Sequence, residues 1–108
     1  MATAKDLMDA AKKKIEENKA RASTIGAVYK LVLEGDGGGT FVVNLKDNPG
    51  IAEGDGAAQC TIKMKAKHYV DLVEGRTSAE RLYLKGKLKI KGDMALAMKL
   101  AQLTDMIK

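Results

Sequence analysis

The architecture of this chain turns on the stretch Gly86-Lys87-Leu88-Lys89-Ile90-Lys91-Gly92-Asp93-Met94-Ala95-Leu96-Ala97-Met98-Lys99-Leu100. From Lys87 to Lys91 lysine and apolar residues alternate strictly, which predicts a strand with one apolar face and one lysine face. Gly92 turns the chain, and Asp93 is placed to cap a helix running to about residue 104. In that helix Met94, Ala95, Leu96, Ala97, Met98, Leu100, Ala101 and Leu103 leave almost no polar face, and Met106 and Ile107 follow. A surface helix needs an apolar stripe, not an apolar cylinder. This one is therefore expected to be covered on two sides or to border an apolar space. Three of the six methionines lie in this C-terminal stretch, and methionine lets a surface repack around varied apolar groups.

Working upstream, Gln59 to Lys65 alternates with Cys60, Ile62 and Met64 on one face and Thr61, Lys63 and Lys65 on the other. Two short helices are expected between this strand and Lys87: one over 67–74, bounded by Gly75, and one over 77–85, opened by a Thr77–Glu80 capping box and closed by Gly86. Earlier, 25–34 and 40–46 read as strands joined by the glycine-rich segment 35–39, and so as an antiparallel hairpin. Phe41, Val43 and Leu45 share one face of the second strand. Asp47-Asn48-Pro49-Gly50 is a turn, and 51–53 is a short strand or a loop. At the N-terminus Ala4, Leu7, Met8, Ala11 and Ile15 fall on one helical face over about 3–19, with Thr3 and Asp6 as a capping pair.

The 108 residues form a single expected domain spanning 1–108, long enough for one core without a disulfide or metal staple. Hydrophobic residues at 45% and charged residues at 31% argue against disorder. There is no apolar run of membrane-span length and no secretory signal pattern, so a cytoplasmic location is expected. One cysteine and one histidine exclude an internal disulfide and a multi-histidine metal site. The net charge of +5 is concentrated: 63–91 holds nine Lys/Arg against three Asp/Glu, a net of +6. That segment suggests attraction to anionic membranes or other anionic partners, against a solvated lysine face as the plain alternative.

Catalytic constellations are not visible. The glycine segment 35–39 runs into a strand and lacks the pattern of a phosphate loop. Glu34-Gly35-Asp36-Gly37 and Glu53-Gly54-Asp55-Gly56 read as hairpin turns, not calcium loops. Cys60, on an inward strand face, is expected to be a buried, inert thiol. His68 is expected to be solvated or hydrogen-bonded near a helix start. Nucleic acid is not an expected partner, because Tyr29, Phe41, Tyr69 and Tyr83 do not interleave with the outward lysines. No enzyme activity, no cofactor and no metal site is expected, and binding or carrying gains weight.

The segment 86–100 resembles the sterol carrier protein 2 (nonspecific lipid-transfer protein) family, where a G-K-L-K-I-x-G strand leads into an N/D-M-x-L-A-M-K-L helix. Ala58-Gln59-Cys60-Thr61-Ile62-Lys63-Met64 is similar to the family's A-D/E-C-T-I-T-M strand, and Gly39 to Lys46 to its second strand. The resemblance covers roughly 15–103. It implies an α/β fold: a five-stranded, mostly antiparallel twisted sheet covered on one face by helices and enclosing an apolar tunnel. It implies lipid contacts from Phe41, Val43, Ile62, Met64 and Ile90 on strands. From the short helices it implies Tyr69, Leu72, Val73, Leu82 and Leu84, and from the last helix Met94, Met98, Leu100 and Leu103. Two departures stand out. The chain ends Met106-Ile107-Lys108 where eukaryotic members usually end in an S-K-L-type peroxisomal tripeptide, and Leu82, Tyr83 and Leu84 stand where the family often has paired phenylalanines.

The expected function is intracellular lipid binding and transport, with a fatty acid, fatty acyl-CoA, sterol or phospholipid as ligand. The alternative is a substrate-presenting domain of a multienzyme lipid-oxidation system, with a lipid-metabolising enzyme as partner.

Overall fold

The computed structural model describes residues 3–99. Helix α1 (Ala4–Glu17) begins at a capping box in which Thr3 Oγ1 accepts from the Asp6 N–H and the Asp6 carboxylate accepts from the Thr3 N–H. Its buried face is Ala4, Met8, Ala11 and Ile15, at the spacing the sequence predicts. Asn18 interrupts it, donating from its side chain to the Lys14 carbonyl, and a short α2 (Lys19–Ser23) follows. The sequence reading does not include α2, whose single buried residue, Ala22, makes no apolar period.

Strands β1 (Ala27–Glu34), β2 (Gly39–Leu45), β3 (Gly50–Glu53), β4 (Cys60–Lys65) and β5 (Leu88–Gly92) form one sheet in the order β3-β2-β1-β4-β5. Three of the four junctions are antiparallel, and the β1–β4 junction is parallel, so the sheet is mixed. The register stacks Phe41, Leu31, Ile62 and Ile90 in one row across four strands. A second row runs Ile51, Val43, Tyr29 and Cys60. These rows lie on the face of the sheet that the helices cover, and Tyr69 Oη of α3 (Ala66–Val73) lies 3.9 Å from Met8 Sδ where α1 and α3 meet. The opposite face holds Lys30, Lys63 and Lys65, crossed by 54–59, where Asp55 pairs with Lys30 at 2.9 Å.

Helix α4 (Ala79–Leu84) is capped by Ser78, whose Oγ accepts from the Arg81 N–H at 3.2 Å. The expected Thr77 cap is therefore one residue early: Ser78 holds the extended backbone that aims its hydroxyl at the first turn. Asp93 caps α5 (Met94–Ala97) as expected, accepting from the Ala95 N–H at 2.8 Å. Among the described residues this helix ends at Ala97, with Met98 and Lys99 in a turn, and the rest of its expected course to about residue 104 lies outside them.

Two contacts tie the β5–α5 corner to the sheet. Tyr29 Oη, rising from the central strand, donates to the Leu96 carbonyl at 2.6 Å. Gly92 has φ +113°, and a Cβ there would meet the Gln59 carbonyl oxygen at 2.5 Å. Gly92→Ala is therefore expected to cost about 2–4 kcal/mol through backbone strain and close contact together. Thermal unfolding should show a Tm lower by roughly 10 °C or more. An unchanged Tm would mean that this corner relaxes freely.

Candidate functional site

The alternation of β5 gives its two faces different chemistry. Leu88 and Ile90 point toward the helices, and Lys87, Lys89 and Lys91 occupy the intervening positions. Beside Leu88 and Ile90, α4 brings Ala79, Glu80, Tyr83 and Leu84, residues one turn apart on one helical face. Across from them α5 brings Met94, Ala97 and Met98, again at one-turn spacing. Together these residues line a cleft of about 470 Å³. Tyr83, Leu84, Met94 and Met98 are 46%, 75%, 49% and 83% exposed. They are the large exposed hydrophobic side chains among the described residues, and all four line this cleft. Isolated exposed apolar residues are ordinary, but their convergence on one concave surface makes this cleft the candidate site.

The ionisable groups behind the cleft are chemically quiet. Burial pushes the Tyr29 phenol up to about 12, with Cys60 and Asp93 adding to the effect. Burial, and then the Asp93 carboxylate, raises the Cys60 thiol. A raised thiol pKa leaves little thiolate at neutral pH, so Cys60 has the inert character expected of it. The site offers apolar area and shape.

The residues singled out from sequence separate into two groups. Leu84, Ile90, Met94 and Met98 line the cleft. Phe41, Val43, Ile62, Met64, Tyr69, Leu72 and Leu82 are buried in the core, and Val73 packs half-buried against it. Leu100 and Leu103 lie outside the described residues. Among the described residues, an open apolar cleft lies beside the edge strand. Met8 and Ile15 of α1 and Tyr69 of α3 are buried in the same core as Phe41 and Ile62. Ala79, Glu80, Tyr83 and Ala97 line the cleft without having been singled out. The one-turn spacing of Ala79 with Tyr83, and of Glu80 with Leu84, is the signal that marks that face.

The model of the SCP-2 sterol transfer family matches residues 5–105. The chain belongs to this family. Sterol carrier protein 2 of Homo sapiens is 37% identical over 97 residues, covering 85% of this chain and 18% of its own length. Hydroxysteroid dehydrogenase-like protein 2 of Bos taurus is 39% identical over 80 residues, covering 71% of this chain and 19% of its own length. The chain thus spans about a fifth of the length of these curated relatives. The solution structure of Sterol Carrier Protein-2 from Aedes aegypti, a complex with the C16 fatty acid palmitate, superposes with a TM-score of 0.73 at 23% identity, covering all of both chains. The α/β fold expected from sequence is therefore that of the SCP-2 family.

Burial of tyrosine in this SCP-2 fold has a measurable consequence. Tyr29 and Tyr69, two of the three tyrosines, have phenols pushed up to about 12. In the unfolded chain each would ionise near ~10. The native state therefore holds these protons more tightly, and the associated stability is present below pH ~10 and is lost as pH rises toward ~12. Phenolate absorbance and circular dichroism, followed together, should show two tyrosines ionising only as the fold is lost. Ionisation of all three near pH ~10 in a still-folded protein would contradict the buried placement.

Proposed function

We propose that this chain binds lipids by their hydrocarbon part in the cleft between α4, β5 and α5, and carries them between membranes or to enzymes. The convergence of Tyr83, Leu84, Met94 and Met98 on one cleft carries this reading. Membership of a sterol transfer family supports it, as does palmitate in the Aedes aegypti complex. The cleft volume lies within the ~300–1,000 Å³ of small-molecule sites. The ligand class is a fatty acid, fatty acyl-CoA, sterol or phospholipid. We read the chain as a carrier, not a catalyst, in keeping with the quiet thiol and phenol behind the cleft.

The energetics suit a carrier. Burying about 16 methylenes contributes about 13 kcal/mol at ~0.8 kcal/mol each. An association cost near ~5 kcal/mol leaves about 8 kcal/mol, a Kd in the micromolar range. Such affinity comes from area, so selectivity among chains is broad and release is fast enough for transfer.

Leu84, Ile90, Met94 and Met98 are assigned the ligand contacts. Leu84→Glu and Met98→Glu should each weaken binding of a fluorescent fatty acid by about tenfold or more, because a carboxylate in the cleft must be desolvated by the tail. Both positions are exposed, so unfolding stability should stay within about 0.5 kcal/mol. Ile62→Ala, in the core, should cost about 2–5 kcal/mol of stability while the folded protein still binds. Unchanged affinity in both glutamate variants would place the tail elsewhere.

Transient contact with anionic membranes is part of the proposal, supported by the net +6 of 63–91. Vesicles containing phosphatidylserine should bind the protein at low salt and release it as ionic strength approaches ~0.15 M, where exposed charges are screened over about 8 Å. Equal docking to neutral vesicles would reduce the lysines to a solvated face.

A further inference from the structure

At the end of the sheet where β1 and β4 finish and β5 starts lies a second cavity, of about 350 Å³. Five lysines line it: Lys63 and Lys65 from β4, Lys67 from α3, and Lys87 and Lys89 from the return strand. Glu34 is the acidic residue of the lining, and it is engaged with Lys63 at 3.6 Å. Among the described residues, no carboxylate lies within ion-pair distance of Lys65, Lys67, Lys87 or Lys89. The sheet register sets Lys63 directly opposite Lys89. Like charges in that relation destabilise a sheet unless something neutralises them.

His68 adds an independent observation. Its Nδ1 is out of contact with solvent and has no hydrogen-bond partner, while the ring as a whole stays partly exposed, in keeping with the solvated histidine expected there. His68 itself stands on the lining of the cavity, beside Lys67. Burial and the charges of Lys87, Lys67 and Lys65 hold the imidazole below its ordinary pKa, with Asp71 opposing them. The first turn of α3 also belongs to this cavity, through Lys67 and His68, and no side chain caps that helix. The partial positive charge there favours an anion.

We propose that this pocket binds a phosphate group: a phosphomonoester held by Lys65, Lys67, Lys87 and Lys89, with the His68 imidazole as a hydrogen-bond donor. A dianion answers four otherwise unpaired cations, which a carboxylate with one charge does less well. The cavity exceeds the size of inorganic phosphate, leaving room for the esterified group. The source is a lipid headgroup or a soluble phosphate ester; both present the same chemistry. The assignment is independent of the apolar cleft, since a protein that bound no hydrocarbon would still bind phosphate here.

The chain has a single histidine, so its imidazole resonances report on this pocket without ambiguity. The lipid-free full chain is titrated with inorganic phosphate, glycerol 3-phosphate and short-chain phosphatidic acid, with matched chloride as control. Saturable shifts of the His68 resonances are expected, with its titration midpoint moving upward as the dianion offsets the lysines. Lys65→Gln combined with Lys87→Gln should weaken binding by at least about tenfold through loss of two charge-assisted contacts. Lys12→Gln combined with Lys13→Gln, the same charge change on α1, should not. Tighter binding of phosphatidic acid than of glycerol 3-phosphate assigns the phosphate to a lipid headgroup; equal binding assigns it to a soluble ester. Shifts reproduced by chloride, absent with all three phosphates, or lost equally in the α1 variant overturn the proposal.

Discussion

The parallel pairing of β1 with β4 is the constraint on which the rest of the molecule depends. The hairpin β1–β2 and the short β3 extend the sheet in one direction. To add β4 on the other side of β1, the chain must cross the whole β1–β2 width. It does so over the lysine-bearing face, held by the Asp55–Lys30 pair and by Gly56 against the Val42 side chain. Gln59 completes the crossing, its backbone N–H donating to the Val28 carbonyl while its side-chain oxygen accepts from the Val28 N–H. A parallel strand pair needs such a long connection. Here the crossing segment also shields a sheet face that would otherwise expose Val28, Val32 and Val42.

The same pairing decides where both candidate sites form. Because β4 runs alongside β1, it ends beside Glu34 and delivers α3 at that edge. The return through α4 then makes β5 an edge strand. An edge strand has open backbone groups that invite pairing with other chains, and lysines are a common defence. In β5 the alternation of lysine with leucine and isoleucine serves both needs. The apolar side chains floor the cleft, and Lys87 and Lys89 help to line the basic pocket. The corner that sets the relation of β5 to α5 is held by Gly92 against Gln59 and by the buried Tyr29 hydroxyl on the Leu96 carbonyl.

The polar groups are distributed unevenly around the apolar cleft. Glu80 and Tyr83 stand on the lining of the apolar cleft, while Tyr29 and Cys60 are buried with raised pKa values. The lysines keep to the opposite face and to the strand ends, so the cleft floor stays apolar while the surrounding surface is basic.

Much of this was legible in the residues themselves. Strict alternation at Lys87 to Lys91 and at Cys60 to Lys65 specifies strands and their faces, because a pleated strand has a side-chain period of two. The capping side chains of Thr3 and Asp93 specify helix starts by local hydrogen bonds alone. The apolar excess of the stretch from Met94 on pointed to a helix covered on two sides or bordering an apolar space, because a surface helix needs only an apolar stripe. Periodicity says which face of a strand is apolar but not what packs on it. Phe41, Val43 and Ile62 thus looked the same as Ile90 from sequence, yet the first three are buried while Ile90 is half-buried beside a cleft. The meeting of Lys65 and Lys67 with Lys87, some twenty residues on, was likewise set by the tertiary structure. Such non-local contacts depend on strand order and register, and those are fixed by how the whole core packs rather than by any local pattern.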